Sequence, residues 1–201
     1  MRLLLRIRRA PAGLMLLTLV TAACTTTTTQ SFNVNQNSRV EKSIIAVDAE
    51  FGKYDRLLPS EMGIFFPENS APSVDDQQRT RTIFRSAFLA EIDGYRIVDK
   101  PGPTTLGVQA TLVDYRNATG ADVPKVRRAL ADLAQPGVLM FLMELTDSES
   151  GEILARAADS ASAPPFATSP GAVTDWEAVE AAANRWARLF REFLDANLKR
   201  N

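Results

Sequence analysis

Apolar residues recur along the chain with two different periods, and each period predicts one kind of element. Between Ser73 and Gly94 they return every three or four residues, which predicts an amphipathic helix. Ser73 has the position of an N-cap, Asp76 follows three residues later, and Gly94 suits the residue just past the helix end. The apolar stripe consists of Thr80, Ile83, Phe84, Ala87, Phe88 and Ile92.

A second helical pattern lies near the end of the chain. Thr174 and Glu177 have the spacing of a capping box, in which Thr174 is the N-cap and the Glu177 carboxylate reaches back to it. One apolar face follows, formed by Val179, Ala183, Trp186, Phe190, Phe193 and Leu194. This pattern predicts a long amphipathic helix that packs on the core.

Three stretches between these helices have the pattern of strands. Residues 106–115 alternate between apolar and more polar positions, as in a strand with one buried face. Residues 138–145 are almost continuously apolar, which is typical of a central strand. Residues 152–158 follow a turn, which makes them the hairpin partner of that strand.

Two further strands and one uncertain element complete the predicted fold. Residues 56–66 predict a strand, which must be an edge or carry a bulge because Pro59 lacks an amide hydrogen. Residues 95–99 predict a short strand, and residues 117–137 predict a short helix or a mobile loop. The expected class is α+β: a two-layer α/β sandwich, with a mixed or antiparallel sheet of about five strands and two main helices on one face.

The start of the chain has the layout of a bacterial lipoprotein signal. A basic segment precedes the apolar residues 11–20, which are too few for a membrane-spanning helix of about 20 residues. Thr21, Ala22 and Ala23 are the small residues that a signal peptidase requires, and Cys24 follows them. This order is similar to a lipobox, in which the cysteine sulfur is lipidated, although Thr21 stands where Leu is preferred. The alternative is an ordinary cleaved signal with an incidental Cys24.

These features predict three segments: a signal peptide over residues 1–23, a lipidated Cys24 with a flexible polar tether over residues 24–42, and a single globular periplasmic domain over residues 43–201. The tether is rich in Thr, Asn, Gln and Ser, which bury little apolar surface on ordering. Thr25 rather than Asp follows Cys24, so the lipoprotein resemblance implies the periplasmic face of the outer membrane. The alternatives are the periplasmic face of the inner membrane and a soluble periplasmic protein.

Composition removes several kinds of chemistry. The 201 residues contain no histidine and a single cysteine, so Ser-His and Cys-His nucleophiles and His-ligated metals are excluded. Removal of residues 1–23 leaves 19 basic and 24 acidic residues, a formal charge of −5. No basic patch of the kind that binds nucleic acid stands out. We therefore expect no catalytic residue, no cofactor, no metal and no nucleic-acid partner.

The chain also resembles a family of Gram-negative lipoproteins with domain of unknown function 3313. Four segments carry the resemblance: residues 51–58 (FGKYDRLL), residues 95–103 (YRIVDKPGP), residues 144–154 (ELTDSESGEIL) and residues 186–194 (WARLFREFL). It extends over about residues 44–198 and departs at Pro59, where the family often has a continuous apolar strand. The resemblance implies the fold and an address in the cell envelope, but no activity.

Several groups of side chains allow both a functional and a structural interpretation. Residues 53–56 could form a recognition patch, Trp176 and Trp186 a ligand groove, and Met140 and Met143 an adaptable binding surface. For these three groups, spacing favours packing. Asp147, Glu149 and Glu152 could form a calcium site, but spacing favours a hairpin turn.

We therefore expect a non-catalytic lipoprotein that contacts the membrane through the lipid on Cys24. Its periplasmic domain is expected to bind an unknown envelope protein or a small apolar ligand. One alternative is a small hydrolase with Ser or carboxylate chemistry, which requires a pocket with converging Ser, Lys or Asp side chains. Another is a structural subunit of an envelope complex, which requires an exposed apolar patch or an open sheet edge, for example at Pro59.

Overall fold

A computed structural model describes residues 30–36, 38–66, 71–114, 139–160 and 173–198 of the chain. In these ranges two helices pack on one face of a mixed sheet of eight strands. The predicted α+β class is confirmed, whereas the predicted number of about five strands is too low. The signal segment with Thr21, Ala22, Ala23 and Cys24, and the element predicted over residues 117–137, lie outside the described residues.

The sheet has an antiparallel part and a parallel part that meet at strand β6. The strands are β1 (Phe32–Val34), β2 (Lys42–Ala46), β3 (Arg56–Pro59), β4 (Gly63–Phe65), β5 (Arg96–Ile97), β6 (Thr105–Asp114), β7 (Leu139–Asp147) and β8 (Ile153–Asp159); the helices are α1 (Val74–Glu91) and α2 (Trp176–Asn197), and Phe51–Lys53 forms a short 3-10 helix. The spatial order is β1-β2-β8-β7-β6-β3-β5, and β4 pairs with β6 beyond β3. The strand pairs β1–β2, β2–β8, β8–β7 and β7–β6 are antiparallel. The pairs β6–β3, β6–β4 and β3–β5 are parallel.

Strand β7 is central, as its apolar sequence predicts, and all its residues except Thr146 are buried. On the helix side, the Phe141 ring lies 5.1 Å from the Phe84 ring of α1 and 4.3 Å from the Trp186 ring of α2. This aromatic layer holds both helices on the sheet, because each ring buries a large apolar area.

Helix α1 begins where the sequence predicts. The Ser73 hydroxyl oxygen accepts a hydrogen bond from the Asp76 amide at 3.1 Å, which satisfies one of the unpaired donors of the first turn. The helix ends at Glu91, and Gly94 turns the chain with a φ of +90°. Gly94 thus lies a little further beyond the helix end than predicted, in a conformation that glycine adopts without strain.

The predicted cap of α2 is wrong by one residue. Asp175, not Thr174, is the N-cap, and its carboxylate accepts a hydrogen bond from the Ala178 amide at 3.1 Å. A negative carboxylate at this position also interacts favourably with the positive end of the helix dipole, which a threonine hydroxyl does not.

The strand predicted over residues 56–66 is divided into β3 and β4, both of which pair with β6. From Pro59 to Gly63 this chain advances four residues, while β6 advances three, from Val108 to Thr111. The extra residue is the bulge that Pro59 requires. Because the Ser60 amide donates to the Val108 carbonyl, the nitrogen of Pro59 faces the other way, beyond the end of the two-residue strand β5.

The flexible tether predicted over residues 24–42 is wrong at its end, because β1 lies within it. Strand β1 pairs with β2, and β2 pairs with β8, so both extend the sheet. The Arg156 guanidinium carbon lies 5.6 Å from the centroid of the Phe32 ring, a cation–π contact that favours this position. The folded part of the chain therefore starts ahead of the predicted boundary at residue 43.

Candidate functional site

Asp147, the last residue of β7, is the centre of a polar cluster in which Asp147 and Tyr54 are buried. Its Oδ2 atom accepts a hydrogen bond from the Tyr54 hydroxyl at 2.8 Å and lies 3.3 Å from the Lys53 ammonium nitrogen. Its Oδ1 atom accepts hydrogen bonds from the amides of Glu149 and Ser150, both at 3.0 Å, and from the Ser150 hydroxyl at 3.2 Å. We call these residues the Asp147 cluster. Both carboxylate oxygens are satisfied by donors of the chain itself.

The Asp147 cluster joins segments that are far apart in the sequence. Tyr54 and Asp147 are separated by 93 residues. Next to Asp147, the Ser148 hydroxyl accepts a hydrogen bond from the Gly102 amide at 3.1 Å and donates to the Gly102 carbonyl at 3.2 Å. Three of the four segments that carry the family resemblance therefore meet at the end of β7.

The charges of the Asp147 cluster are fixed at neutral pH. The backbone hydrogen bond from Ser150, assisted by Tyr54 and Lys53, holds the pKa of the Asp147 carboxyl well below its usual range. Burial, with help from the hydrogen bond to Asp147, raises the pKa of Tyr54 to about 12. The Tyr54 hydroxyl and the Asp147 carboxylate raise the pKa of Lys53. None of these groups gains or loses a proton near pH 7, which general acid–base catalysis requires.

The Asp147 cluster is therefore a structural link between the entry of β3 and the turn after β7. Tyr54 is fully buried, which confirms the packing interpretation of residues 53–56. Asp147 closes the turn with its Oδ1 atom, which confirms the hairpin-turn interpretation. Across residues 30–36, 38–66, 71–114, 139–160 and 173–198, no three carboxylate, cysteine or histidine side chains meet as metal ligands, so Asp147, Glu149 and Glu152 do not form such a group.

A buried ion pair between β7 and β8 was not predicted from the sequence. The Arg156 Nε atom lies 3.0 Å from the Glu144 Oε2 atom, and both side chains are less than a tenth exposed. The two residues are paired across the strands, so their side chains lie on the same sheet face. The available signal was a single acidic residue inside the apolar run of β7, which burial requires to have a cationic partner.

A cleft of about 360 Å³ opens between α1, strands β3 and β6, and residues 60–62, which connect β3 to β4. It exists because β3 stops at the Pro59 bulge and because β6 presents the small Ala110 opposite the large side chains of α1. Apolar side chains form most of its lining: Leu57, Pro59, Met62, Phe84, Phe88, Leu89, Ile92, Val108, Ala110 and Phe190. We call this the α1 cleft.

The polar rim of the α1 cleft is sparse. The Arg81 Nε atom donates to the Met62 carbonyl at 3.1 Å and lies 3.4 Å from the Glu61 carboxylate. Arg85 is exposed and forms no salt bridge with any residue in the described ranges. Ser60 contributes a hydroxyl to the lining of the cleft, but no described residue of this lining is a Lys or an Asp. The structure therefore does not bring together the side chains that the hydrolase alternative requires at this cleft.

A second cleft, of about 280 Å³, lies between α2 and strands β2 and β8, and we call it the α2 cleft. Its lining includes Met143, Ala157 and Trp186. A salt bridge between Arg39 and Glu192, with 3.0 Å between nitrogen and oxygen, lies at its edge. The α2 cleft is smaller than the α1 cleft, and its apolar walls belong largely to the core.

The tryptophans and methionines predicted to be core residues are buried, with one exception. Trp186, Met140 and Met143 are each at least 95 per cent buried. Trp176 is only half-buried, and the Arg79 guanidinium carbon lies 4.0 Å from its ring centroid. Trp176 thus packs against the rim of the core and also makes a cation–π contact.

No helix in the described ranges combines the length and the apolar character that crossing a membrane requires. Among the described residues, no strand pairs with the outer side of β1 or of β5, which is the feature expected of a structural subunit. At this second edge, however, Pro59 offers no amide donor to an added strand. The edge is therefore a poor template for another chain.

Comparison with known proteins places the chain in a family. A family model described as "Protein of unknown function (DUF3313)" matches residues 49–190. Among solved structures, a DUF4136 family protein from Bacteroides thetaiotaomicron is similar, with 11% identity, a TM-score of 0.41 and coverage of 80% of this chain and 96% of that chain. The PelC dodecamer from Paraburkholderia phytofirmans is also similar, with 14% identity, a TM-score of 0.36 and coverage of 79% and 97%.

A search of curated proteins finds no significant match. The family model spans most of the described residues, including the Asp147 cluster and all the residues that line the α1 cleft. This match confirms the family resemblance seen in the sequence. The chain belongs to the DUF3313 family of proteins of unknown function.

Proposed function

We propose that the chain is a membrane-anchored, non-catalytic binding protein of the cell envelope and that its α1 cleft takes a small apolar molecule. The observation that carries this proposal is the cleft itself. Its volume of about 360 Å³ falls within the range of roughly 300–1,000 Å³ that is typical of small-molecule sites. Such sites are mostly apolar with a few polar groups, as this one is.

The α1 cleft is a better candidate for a binding site than the Asp147 cluster. Part of its apolar surface is exposed, whereas the polar groups of the cluster are hydrogen-bonded within the chain. In the cluster, every Asp147 oxygen has a donor and Tyr54 is fully buried. In the cleft, Leu89 is 36% exposed and Phe88 is only partly buried. Covering such apolar surface contributes roughly 25 cal/mol per Å² to binding, before the costs of association are subtracted.

A small molecule suits this surface better than a protein partner does. Exposed large apolar side chains elsewhere in the described ranges are scattered over different elements, at Val34, Val47, Val74, Ile97 and Val173. Protein interfaces need a continuous patch of several hundred Å². In contrast to these scattered side chains, the α1 cleft groups apolar side chains around a common space, and this space is larger than that of the α2 cleft.

In this proposal the anchor is a lipid on Cys24, which follows Thr21, Ala22 and Ala23 at the end of the signal. Each buried methylene contributes roughly 0.8 kcal/mol, so two or three acyl chains hold a protein on a membrane for practical purposes. The proposed location is the periplasmic face of the outer membrane. An anchored domain meets apolar molecules at the membrane surface, where they are concentrated.

The anchor is tested by growth of expressing cells with radioactive palmitate. The wild-type chain is expected to take up label and to fractionate with membranes, and Cys24→Ser is expected to do neither. Equal labelling of both proteins would show that the lipid is not on Cys24.

The binding site is tested with N-phenyl-1-naphthylamine, a neutral probe whose fluorescence rises in apolar surroundings. Ala110→Phe fills the α1 cleft, and Ala157→Phe is a matched control, because Ala157 is also a partly buried strand alanine, but in the α2 cleft. We expect Ala110→Phe to weaken probe binding at least tenfold and Ala157→Phe to change it less than twofold. Circular dichroism checks that both variants fold. The reverse ranking, or no binding by the wild type, would contradict the proposal.

A further inference from the structure

We infer that the ligand of the α1 cleft is a single-chain anionic amphiphile of the fatty-acid class, with its apolar chain in the cleft and its anionic group at Arg85 and Arg96. This inference rests on the proposed function and specifies the class of ligand. Three observations support it: the shape of the combined site, its charge and the state of its arginines.

The α1 cleft continues into a second, more polar groove. This groove has a volume of about 610 Å³ and is lined by Arg96 and Asp99, among others. Pro59 and Arg85 line both the cleft and the groove, so the two spaces adjoin at these residues. An elongated molecule can therefore place one end among apolar side chains and the other among charged ones. This arrangement matches an amphiphile rather than a compact apolar molecule.

The charged side chains around the combined site have a net positive charge. Among the described residues that line it, three are arginines (Arg81, Arg85 and Arg96) and two are acidic (Glu61 and Asp99), which gives these side chains a formal charge of +1. The chain without residues 1–23 has a charge of −5, so this site differs in sign from the protein as a whole. The local charge favours an anionic ligand over a cationic one.

Arg85 and Arg96 are the arginines whose charge is available. Arg81 is occupied by the Glu61 carboxylate at 3.4 Å and by the Met62 carbonyl at 3.1 Å. Arg85 and Arg96 are exposed and form no salt bridge with any residue in the described ranges. A guanidinium binds a carboxylate through two parallel hydrogen bonds, so each of these arginines can hold the head of a fatty acid.

The experiment measures displacement of N-phenyl-1-naphthylamine by three amphiphiles with the same chain length. These are palmitate, which is anionic, methyl palmitate, which is neutral, and hexadecyltrimethylammonium, which is cationic. The protein is the full chain with Cys24→Ser, purified without detergent, so that no lipid of its own competes. We expect palmitate to bind about tenfold more tightly than the other two. Shorter carboxylates are expected to lose roughly fourfold per methylene removed.

Substitutions then locate the anionic group. Arg85→Gln is expected to weaken palmitate about fivefold, and the double variant with Arg96→Gln about tenfold or more. Each factor is taken relative to the change in neutral-probe affinity of the same variant, because Arg85 also lines the cleft. Arg188→Gln is the matched control, since Arg188 is likewise an exposed helix arginine without a salt bridge in the described ranges. It is expected to change palmitate binding less than twofold. All variants carry the same leader residues, so binding to the leader cancels.

The outcomes separate this inference from the proposed function. If the neutral probe binds wild type but not Ala110→Phe, and all three amphiphiles bind equally, the cleft is a binding site but the anionic class is wrong. If Arg85→Gln and Arg188→Gln weaken palmitate equally, the head group is not held at Arg85, and the inference is overturned. If the neutral probe does not bind at all, the proposed function fails first.

Discussion

The Asp147 cluster is polar and closed, whereas the α1 cleft is apolar and open. In the cluster, five donors from Lys53, Tyr54, Glu149 and Ser150 surround one carboxylate. In the cleft, apolar side chains surround about 360 Å³, and Arg85 has no salt-bridge partner in the described ranges. Both regions include residues of the segments that resemble the family, but they differ in what they leave for another molecule.

This difference teaches that a group of polar residues is not a functional site merely because its members come together. The Asp147 cluster uses its hydrogen-bonding capacity to connect remote parts of the chain, so its contribution is to stability. The α1 cleft contributes less to stability than full burial would, because part of its apolar surface stays exposed. Substitutions in the two regions should therefore affect different measurements.

The largest expected effect is on stability and comes from Asp147→Ala. This change leaves the buried Tyr54 hydroxyl and the turn amides without an acceptor, and Lys53 without its ion-pair partner. We expect a loss of about 3 kcal/mol in the free energy of unfolding, measured by urea denaturation. Glu149→Ala is the control, because Glu149 is an exposed acid in the same turn, and it should cost less than about 0.5 kcal/mol. Similar losses in both variants would mean that the cluster is not a structural link.

The next effect is a pH dependence of stability that belongs to the cluster. Asp147 has a lower pKa in the folded chain than its ordinary value of 3.8, so its stabilisation is complete above about pH 5 and is lost as the pH falls below about 4. Tyr54 has a raised pKa of about 12 in the folded chain, against an ordinary value of 10.0. Its contribution is therefore complete below about pH 10 and is lost progressively as the pH rises from about 10 to about 12.

Urea midpoints at about pH 3, 7 and 11 measure this dependence. The wild type should be most stable near pH 7, and Asp147→Asn should lose less stability than the wild type between pH 7 and pH 3, because its amide does not titrate. An equal acid loss in both proteins would assign the effect to other carboxylates.

A smaller effect is expected from Tyr54→Phe. The substitution removes one hydrogen bond to a charged acceptor and leaves the ring packing intact, so we expect a loss of about 1.5 kcal/mol in unfolding free energy. The variant should keep the wild-type affinity for the neutral probe, because Tyr54 does not line the α1 cleft. A change in probe affinity without a change in stability would contradict the division between the two regions.

The smallest effect on stability is expected in the α1 cleft. Leu89 lies at its rim and is 36% exposed, so Leu89→Ala should change the free energy of unfolding by less than about 0.5–1 kcal/mol. The same change removes apolar contact with the ligand and should weaken the neutral probe roughly threefold to tenfold in a fluorescence titration. Leu189→Ala, a half-buried leucine of the α2 cleft, should leave probe binding unchanged.

Local sequence patterns predicted the elements whose signals lie within a few residues. The cap at Ser73 and the hairpin of β7 and β8 depend on neighbouring residues, and both are confirmed. The Pro59 bulge was likewise predictable, because a missing amide hydrogen is a property of the residue itself. The cap at Asp175 was missed because Thr174 and Asp175 are both good caps, and local sequence does not decide between adjacent candidates.

Long-range pairing was not predictable in the same way. The position of the β1–β2 pair in the sheet depends on the pairing of β2 with β8, whose partners are at least 110 residues apart in the sequence. The link from Tyr54 to Asp147 spans 93 residues and has no periodic signal. The α1 cleft depends on where β3 ends relative to α1, which is a property of the packed structure. The sequence therefore predicted the class and the helices, but not the strand number or the position of a binding site.

The most direct test of the central claim is hydrogen–deuterium exchange of the full chain, with and without the neutral probe. If the α1 cleft is the binding site, the probe should slow exchange in α1 (Val74–Glu91), in β3 (Arg56–Pro59) and in residues 60–62 that follow it, and it should leave β2 (Lys42–Ala46) unchanged. Protection centred on β2 and α2 (Trp176–Asn197), or no protection at saturating probe, would contradict the claim.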